Sequence, residues 1–226
     1  MSAAATAAAA RRAITIDIVS DAICPWCLVG KRRLAAALKT LPNVKATIRW
    51  RPFFLDPTLP LNGVDKMSHY ISKFGKARID SILPQMAAVG ASLIPPVTFD
   101  YGGRIYPTSA AHVAIEAAWE AGGALLQDAV VEALFSHYFE QKGDLTKEEV
   151  IRIALKAGLS NANAAVSAPG AIAGVESEVK KWRNQYGISG VPFFIIKGLD
   201  SGKEETISGA EDARVIAEAI NKVIRV

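Results

Sequence analysis

Apolar residues recur at every second position near the two ends of the chain and at helical spacing in the long stretch between them. Ile14-Thr15-Ile16-Asp17-Ile18-Val19 has the period of a strand with one buried face. Leu28 to Leu41 has helical spacing and carries the basic run Lys31-Arg32-Arg33. Val44 to Phe54, opened by the turn signal Pro42-Asn43, alternates Lys45, Thr47, Arg49 and Arg51 with apolar groups and predicts a second strand. Strand, helix and strand make a βαβ unit, in which the helix supplies the crossover that parallel pairing requires.

From Asp56 the period changes. A loop to Asp65 precedes predicted helices over 67–75 and 76–90, then a Pro- and Gly-rich loop over 93–106. Two further helices follow over 108–121 and 125–141, with Val113, Ile115, Ala118 and Trp119, then Val130, Leu134, Phe135 and Tyr138, as their core positions. Thr146 and Glu149 have the spacing of a capping box ahead of Val150, Ile151 and Leu155, and Gly158 is a stop. A helix opened by Ala168-Pro169 runs to Tyr186. Strand character returns at Phe193 to Lys197 and Glu205 to Ser208, joined by a loop over 198–203, and a last helix runs from Ala210 or Glu211 to Val223. The order β-α-β, helices, β-β-α is that of an α/β thioredoxin fold interrupted by an all-helical insertion. The expected division is a flexible tail over 1–13, a thioredoxin-like domain from 14–55 and 188–226, and a helical insertion domain over 56–187.

At 226 residues, half of them apolar, the chain is long enough for one large domain or one domain with an insertion. The net charge of +4 is modest, and the short basic clusters lack the aromatic interleaving of a nucleic-acid platform. Met1 to Ala10 holds Ala and Thr without Leu, Ile or Phe, and its Arg pair follows the alanines, the reverse of a secretory leader. No run reaches transmembrane length. These features predict a cytoplasmic protein with no nucleic-acid or membrane partner, and they leave the oligomeric state open.

Cys24 and Cys27 are the only cysteines, in Cys24-Pro25-Trp26-Cys27 between the first strand and the first helix. Zinc requires four protein ligands, or three in a catalytic site, and His69, His112 and His137 are scattered, so no metal is expected. A structural disulfide here would close too small a loop to constrain much chain. A dithiol at a strand-to-helix junction is a thioredoxin-like redox signature, because the helix N-terminus stabilises a thiolate. Cys24, at the helix start, is the expected nucleophile, with the unpaired N–H groups of the first turn and the Cys27 thiol as donors to its sulfur. Cys27, one turn further in, is the expected resolving thiol. Pro25 and Trp26 tune exposure and potential, and Trp26 either meets the substrate or covers the helix start. Two acids stand nearby: Asp21 can act on the Cys24 proton or cap the helix, and Asp17 can be a buried acid of the strand.

Three segments carry a resemblance to a known family. Asp21-Ala22-Ile23-Cys24-Pro25-Trp26-Cys27-Leu28-Val29-Gly30-Lys31 is similar to D-x-x-C-P-W-C-x-x-G-K. Gly187-Ile188-Ser189-Gly190-Val191-Pro192-Phe193-Phe194 is similar to G-V-x-G-V-P-x-F, and Ile207-Ser208-Gly209-Ala210 to V-S-G-A-Q, with Glu211 at the Gln. In this order they resemble the DsbA-like thioredoxin superfamily, most closely its FrnE-like branch. The resemblance implies a thiol-disulfide oxidoreductase, or disulfide isomerase, exchanging with protein or peptide thiols and disulfides through a mixed disulfide. It implies no bound cofactor and admits glutathione as a redox partner. It also implies that Pro192 is cis and faces the dithiol, leaving the Val191 backbone to pair with an extended substrate. Related glutathione-dependent enzymes, 2-hydroxychromene-2-carboxylate isomerase and kappa-class transferase, usually keep a single Ser or Cys, and the intact pair argues against them. The branch name also admits an accessory role in polyketide biosynthesis. One departure lies in the insertion: the family's Asn-Thr ahead of Ala-His reads Pro107-Thr108 here, which leaves Thr108 as a helix N-cap and His112 as an interior helix position.

Overall fold

The structure, a computed structural model, describes residues 12–225. Strand β1 (Arg12–Ser20) is followed by α1 (Pro25–Lys39) and β2 (Val44–Pro52). The next segment holds β3 (Val64–Asp65), α2 (Lys66–Phe74), α3 (Lys76–Ser92), β4 (Arg104–Ile105), α4 (Ser109–Glu140), α5 (Lys147–Lys156), α6 (Ala162–Val166) and α7 (Ala171–Tyr186). The chain closes with β5 (Phe193–Gly198), β6 (Glu204–Ser208) and α8 (Ala213–Ile224). This is a thioredoxin fold with a helical insertion.

The main sheet has the order β2-β1-β5-β6. β1 pairs parallel with β2 and antiparallel with β5, and β5 pairs antiparallel with β6. The alternation read at Ile14, Ile16 and Ile18 is that of a central strand, and all three are buried. Helices α1 and α8 pack together beneath this sheet, while α4 and α7 contact β2.

Three expectations change. First, the strand begins at Arg12, so residues 12 and 13 belong to β1, and the rest of the expected tail lies outside the described residues. Second, the insertion is not all-helical: Val64 pairs with Ile105 and Asp65 with Arg104 in a short antiparallel ladder separate from the main sheet. A ladder of two residues per strand is too short to leave a period in the sequence. Third, a five-residue helix, α6, lies in a stretch read as connection. The helices predicted over 108–121 and 125–141 are run together as α4, with a break at Gly123, whose φ of 63° is left-handed.

The insertion is tied to the sheet by polar contacts as well as apolar packing. Gln127 is fully buried, its Oε1 accepts from the Trp50 N–H at 2.8 Å, and its Nε2 donates to the Trp50 carbonyl at 3.1 Å. A side-chain amide thus completes the outer edge of β2 as another strand would, satisfying backbone groups that α4 covers. From the other direction Lys31 pairs with Asp128, and Arg32 donates to Glu132 at 2.8 Å. Lys31 and Arg32, the first two residues of the basic run of α1, are therefore an attachment to α4.

Candidate active site

The first segment builds a turn, then a helix start. The Cys24 N–H donates to the Asp21 carbonyl at 3.0 Å, which closes the turn after β1. Cys24 is the N-cap of α1 in extended conformation, and Pro25 follows at the first helical position, where its missing N–H costs nothing. The helix starts three residues before the periodicity suggested, because Pro25 and Trp26 form its first turn. Cys24 and Cys27 are both free thiols; Cys24 retains 4% exposure and Cys27 none. Burial pushes the Cys27 thiol well above its ordinary pKa, and the hydrogen bond and charge of Cys24 push the same way. Trp26 is 42% exposed at the mouth of the site.

The second segment supplies the facing wall. Gly187 ends α7 in the left-handed conformation. The Val191–Pro192 peptide is cis. The Cys24 thiol donates to the Val191 carbonyl at 3.5 Å. Among the described residues the Val191 N–H has no hydrogen-bond partner.

The third segment holds that wall in place. Gly209, at φ 92°, donates its N–H to the Pro192 carbonyl at 2.8 Å, and the adjoining Ala210 carbonyl accepts from Arg33 of α1. Gly30, also in α1, completes the fit. A Cβ there would lie 3.0 Å from both the Pro192 ring and the buried Phe194 ring. The glycine lets helix and proline loop approach closely. Arg33, Gly30 and Gly209 were not read from sequence as site residues, although a glycine inside a helical pattern is the signal for such an approach.

The acids separate. Asp17 lies against Arg51, Nε to Oδ1 at 2.6 Å, and is a cross-strand ion pair. Asp21 is fully buried, accepts the Leu55 N–H at 2.8 Å on Oδ2, and has Oδ1 3.4 Å from Nε2 of buried His112. Neither of those last two atoms has another partner among the described residues. His112 also meets the Phe54 ring edge-on at 5.5 Å. Thr108 stands at the N-cap of α4, but its hydroxyl makes no capping bond. Among the described residues no cluster of three His, Cys, Asp or Glu side chains has metal-binding geometry.

Beside the dithiol opens a cavity of about 420 Å³, in the range of small-molecule sites. Cys24, Trp26 and Val191 form one side of its mouth. Its far wall, largely Tyr70, Phe74, Ile79, Ile82, Met86 and Tyr101, comes from α2, α3 and the loop after α3. The rim is polar. Asp56 receives Lys73 at 2.7 Å and lies 3.2 Å from His69. Burial of Asp56 acts against ionisation, but the hydrogen bonds from Lys73 and Thr58 outweigh it and hold the carboxyl at about 2. Burial raises the Tyr70 hydroxyl to about 12, so it is neutral.

A family model described as a DSBA-like thioredoxin domain matches residues 15–221. No functionally curated protein matches the chain. Among solved structures, a probable DsbA oxidoreductase from Streptomyces coelicolor is 24% identical over 93% of this chain and 89% of its own, with a TM-score of 0.79. The cytosolic disulfide reductase DsbM from Pseudomonas aeruginosa is 15% identical, covering 93% of this chain and 95% of its own, with a TM-score of 0.60. A 2-hydroxychromene-2-carboxylate isomerase is 15% identical over 93% and 96%, with a TM-score of 0.63.

Proposed function

Because the chain belongs to the DSBA-like thioredoxin domain family, we propose that it is a thiol-disulfide oxidoreductase of the FrnE-like kind, working through Cys24 and Cys27. The observation that carries this reading is the Cys24 thiol at the N-cap of α1, hydrogen-bonded to Val191 and backed by the buried Cys27. Backbone N–H groups of the first turn favour the Cys24 thiolate. That thiolate attacks one sulfur of a substrate disulfide, forms a mixed disulfide and releases one substrate thiolate. Cys27, having lost its proton, then attacks the Cys24 sulfur, which closes the Cys24–Cys27 bond and releases the second thiolate. Run backwards, the same steps oxidise a substrate dithiol.

An extended protein or peptide substrate pairs with the free Val191 N–H, and Pro25, Trp26 and Pro192 border it. The division of labour follows the chain. Residues 12–55 and 188–225 form the reactive domain, and 56–187 form the insertion that covers it. Glutathione is the natural low-molecular-weight redox partner, and the cytoplasm, with its reducing thiol pool, the natural compartment. The retained dithiol favours this activity over glutathione-dependent isomerisation.

Dithiol turnover of a disulfide peptide by the reduced protein tests the reading. Cys24→Ser should bring turnover down to the rate of buffer alone; undiminished turnover would remove Cys24 from the mechanism. Equilibration with glutathione buffers gives the potential of the pair, which decides between net reduction and net oxidation.

A further inference from the structure

We infer that the cavity beside Cys24 is a subsite for low-molecular-weight aromatic disulfides that carry a carboxylate. The inference rests on the proposed thiol-disulfide chemistry and adds a substrate class to it.

Volume comes first. A buried apolar cavity of roughly 150 Å³ is enough to hold benzene. The space here, about 420 Å³, is nearly three times larger. One aromatic side chain of a bound peptide would leave most of it empty. The two rings of a bis-aryl disulfide use it, with the S–S bond at the mouth beside Cys24.

The chemistry of the wall comes next. Tyr70, Phe74 and Tyr101 present aromatic carbon, and Ile79, Ile82 and Met86 present aliphatic carbon and a thioether. Stacked and edge-on ring contacts and Met–aromatic contacts suit such a ligand. Glutathione brings two peptide groups, two carboxylates and an ammonium. Each peptide group set against this wall without a partner loses its hydrogen bonds to water with nothing in return. The apolar wall therefore favours an aryl disulfide as its occupant, and glutathione, as redox partner, meets Cys24 at the mouth without filling the cavity.

Charge supplies the last element. Asp56 occupies Lys73, and Asp80 occupies Lys76 at 2.7 Å. Arg78, which lines the cavity, lies over the Phe74 ring at 5.8 Å and has no ion-pair partner among the described residues. A carboxylate on the outer edge of a ring completes that guanidinium. In the reaction the Cys24 thiolate breaks the aryl S–S bond, keeps one aryl sulfur as a mixed disulfide and releases the other as an aryl thiolate. Attack by Cys27 releases the second, so the substrate takes two electrons from the dithiol, which a thiol such as dithiothreitol restores.

The test compares two substrates in each variant, so that their intrinsic reactivities cancel. The probes are 5,5′-dithiobis(2-nitrobenzoate) and the ring-free hydroxyethyl disulfide. Ile82→Trp, which fills a half-buried position of the wall, should lower the aryl-to-hydroxyethyl ratio of kcat/KM by about tenfold or more. Arg78→Gln should lower it about threefold at low salt, with Arg78→Lys recovering part of the loss. A ratio unchanged by Ile82→Trp would overturn the subsite while leaving the dithiol chemistry intact. A binding arm needs no turnover: biphenyl-4-carboxylate should bind saturably in titration calorimetry, with Kd raised about tenfold by Ile82→Trp. If neither disulfide is reduced, the thiol-disulfide reading fails, and this binding arm still decides the cavity: unsaturable binding, or a Kd indifferent to Ile82→Trp, overturns the subsite.

Discussion

The dithiol and the cavity wall face each other but are held in different ways. Cys24 stands on backbone fixed by the central strand β1, by the Asp21 turn, and by a loop that Gly209 and Arg33 tie to β6 and α1. The wall consists of side chains on α2 and α3, and α3 has α2 as its main helical neighbour. The loop after α3 folds back on Gly90, whose carbonyl accepts the Val97 N–H at 3.0 Å. The reactive thiols thus follow a strand paired on both sides, and the proposed substrate surface sits on a hairpin of helices. A family can keep its chemistry and change its substrates when the two are separated in this way.

Removing the support under the dithiol should have the largest effect on stability. Asp21→Ala strips the Leu55 N–H of its acceptor and leaves the buried Nε2 of His112 without its carboxylate neighbour. A cost of about 3 kcal/mol is expected in denaturant unfolding. If the loss is below about 1 kcal/mol, the buried pair is not what anchors the turn.

A smaller, pH-dependent effect belongs to the insertion. Lys66 is buried with Nζ 3.3 Å from the Tyr138 carbonyl, and burial lowers its pKa from 10.5 to about 8, against the pull of Asp144 and Asp100. Between those two values the unfolded chain holds more protons than the folded one, so stability rises with pH across that window. The rise is on the order of 2 kcal/mol. Thermal unfolding of Lys66→Met should lack this slope. An unaltered slope would assign the titration elsewhere.

The smallest change probes the contact between helix and proline loop. Gly30→Ala gains helix propensity of about 1 kcal/mol, but its methyl meets Phe194, which has no room to move. Overpacking costs typically about 1–3 kcal/mol, so a net loss of about 1 kcal/mol is expected, with slower disulfide exchange. A stabilised variant with unchanged exchange would show that the loop tolerates displacement.

The reactive half was largely legible in the sequence because its signals are local. Alternation gave β1, the dithiol marked a helix start, and Gly190-Val191-Pro192 marked the head of β5. The Thr146 cap was also legible: its hydroxyl accepts the Glu149 N–H at 3.2 Å, although the Glu149 carboxylate turns to Arg152 at 2.8 Å instead of closing the box. What sequence did not disclose lies in long-range pairings. Asp21 meets His112, Gln127 completes the edge of β2, and Lys66 is buried under Tyr138, each joining residues far apart in the chain. The cavity has the same cause, since its lining draws on 23–26, 55–56, 69–105 and 190–191 and no period records it.

One measurement addresses the central claim most directly. Cys27→Ser, reduced and then exposed to a disulfide peptide, should accumulate a mixed disulfide that peptide mapping by mass spectrometry places on Cys24. Wild-type protein treated in the same way should resolve the adduct to the Cys24–Cys27 disulfide and release the peptide thiol. If no adduct forms on Cys24 in the Cys27→Ser protein, or if Cys24→Ser captures the peptide on Cys27 at the same rate, Cys24 is not the attacking thiol and the account of the site is wrong.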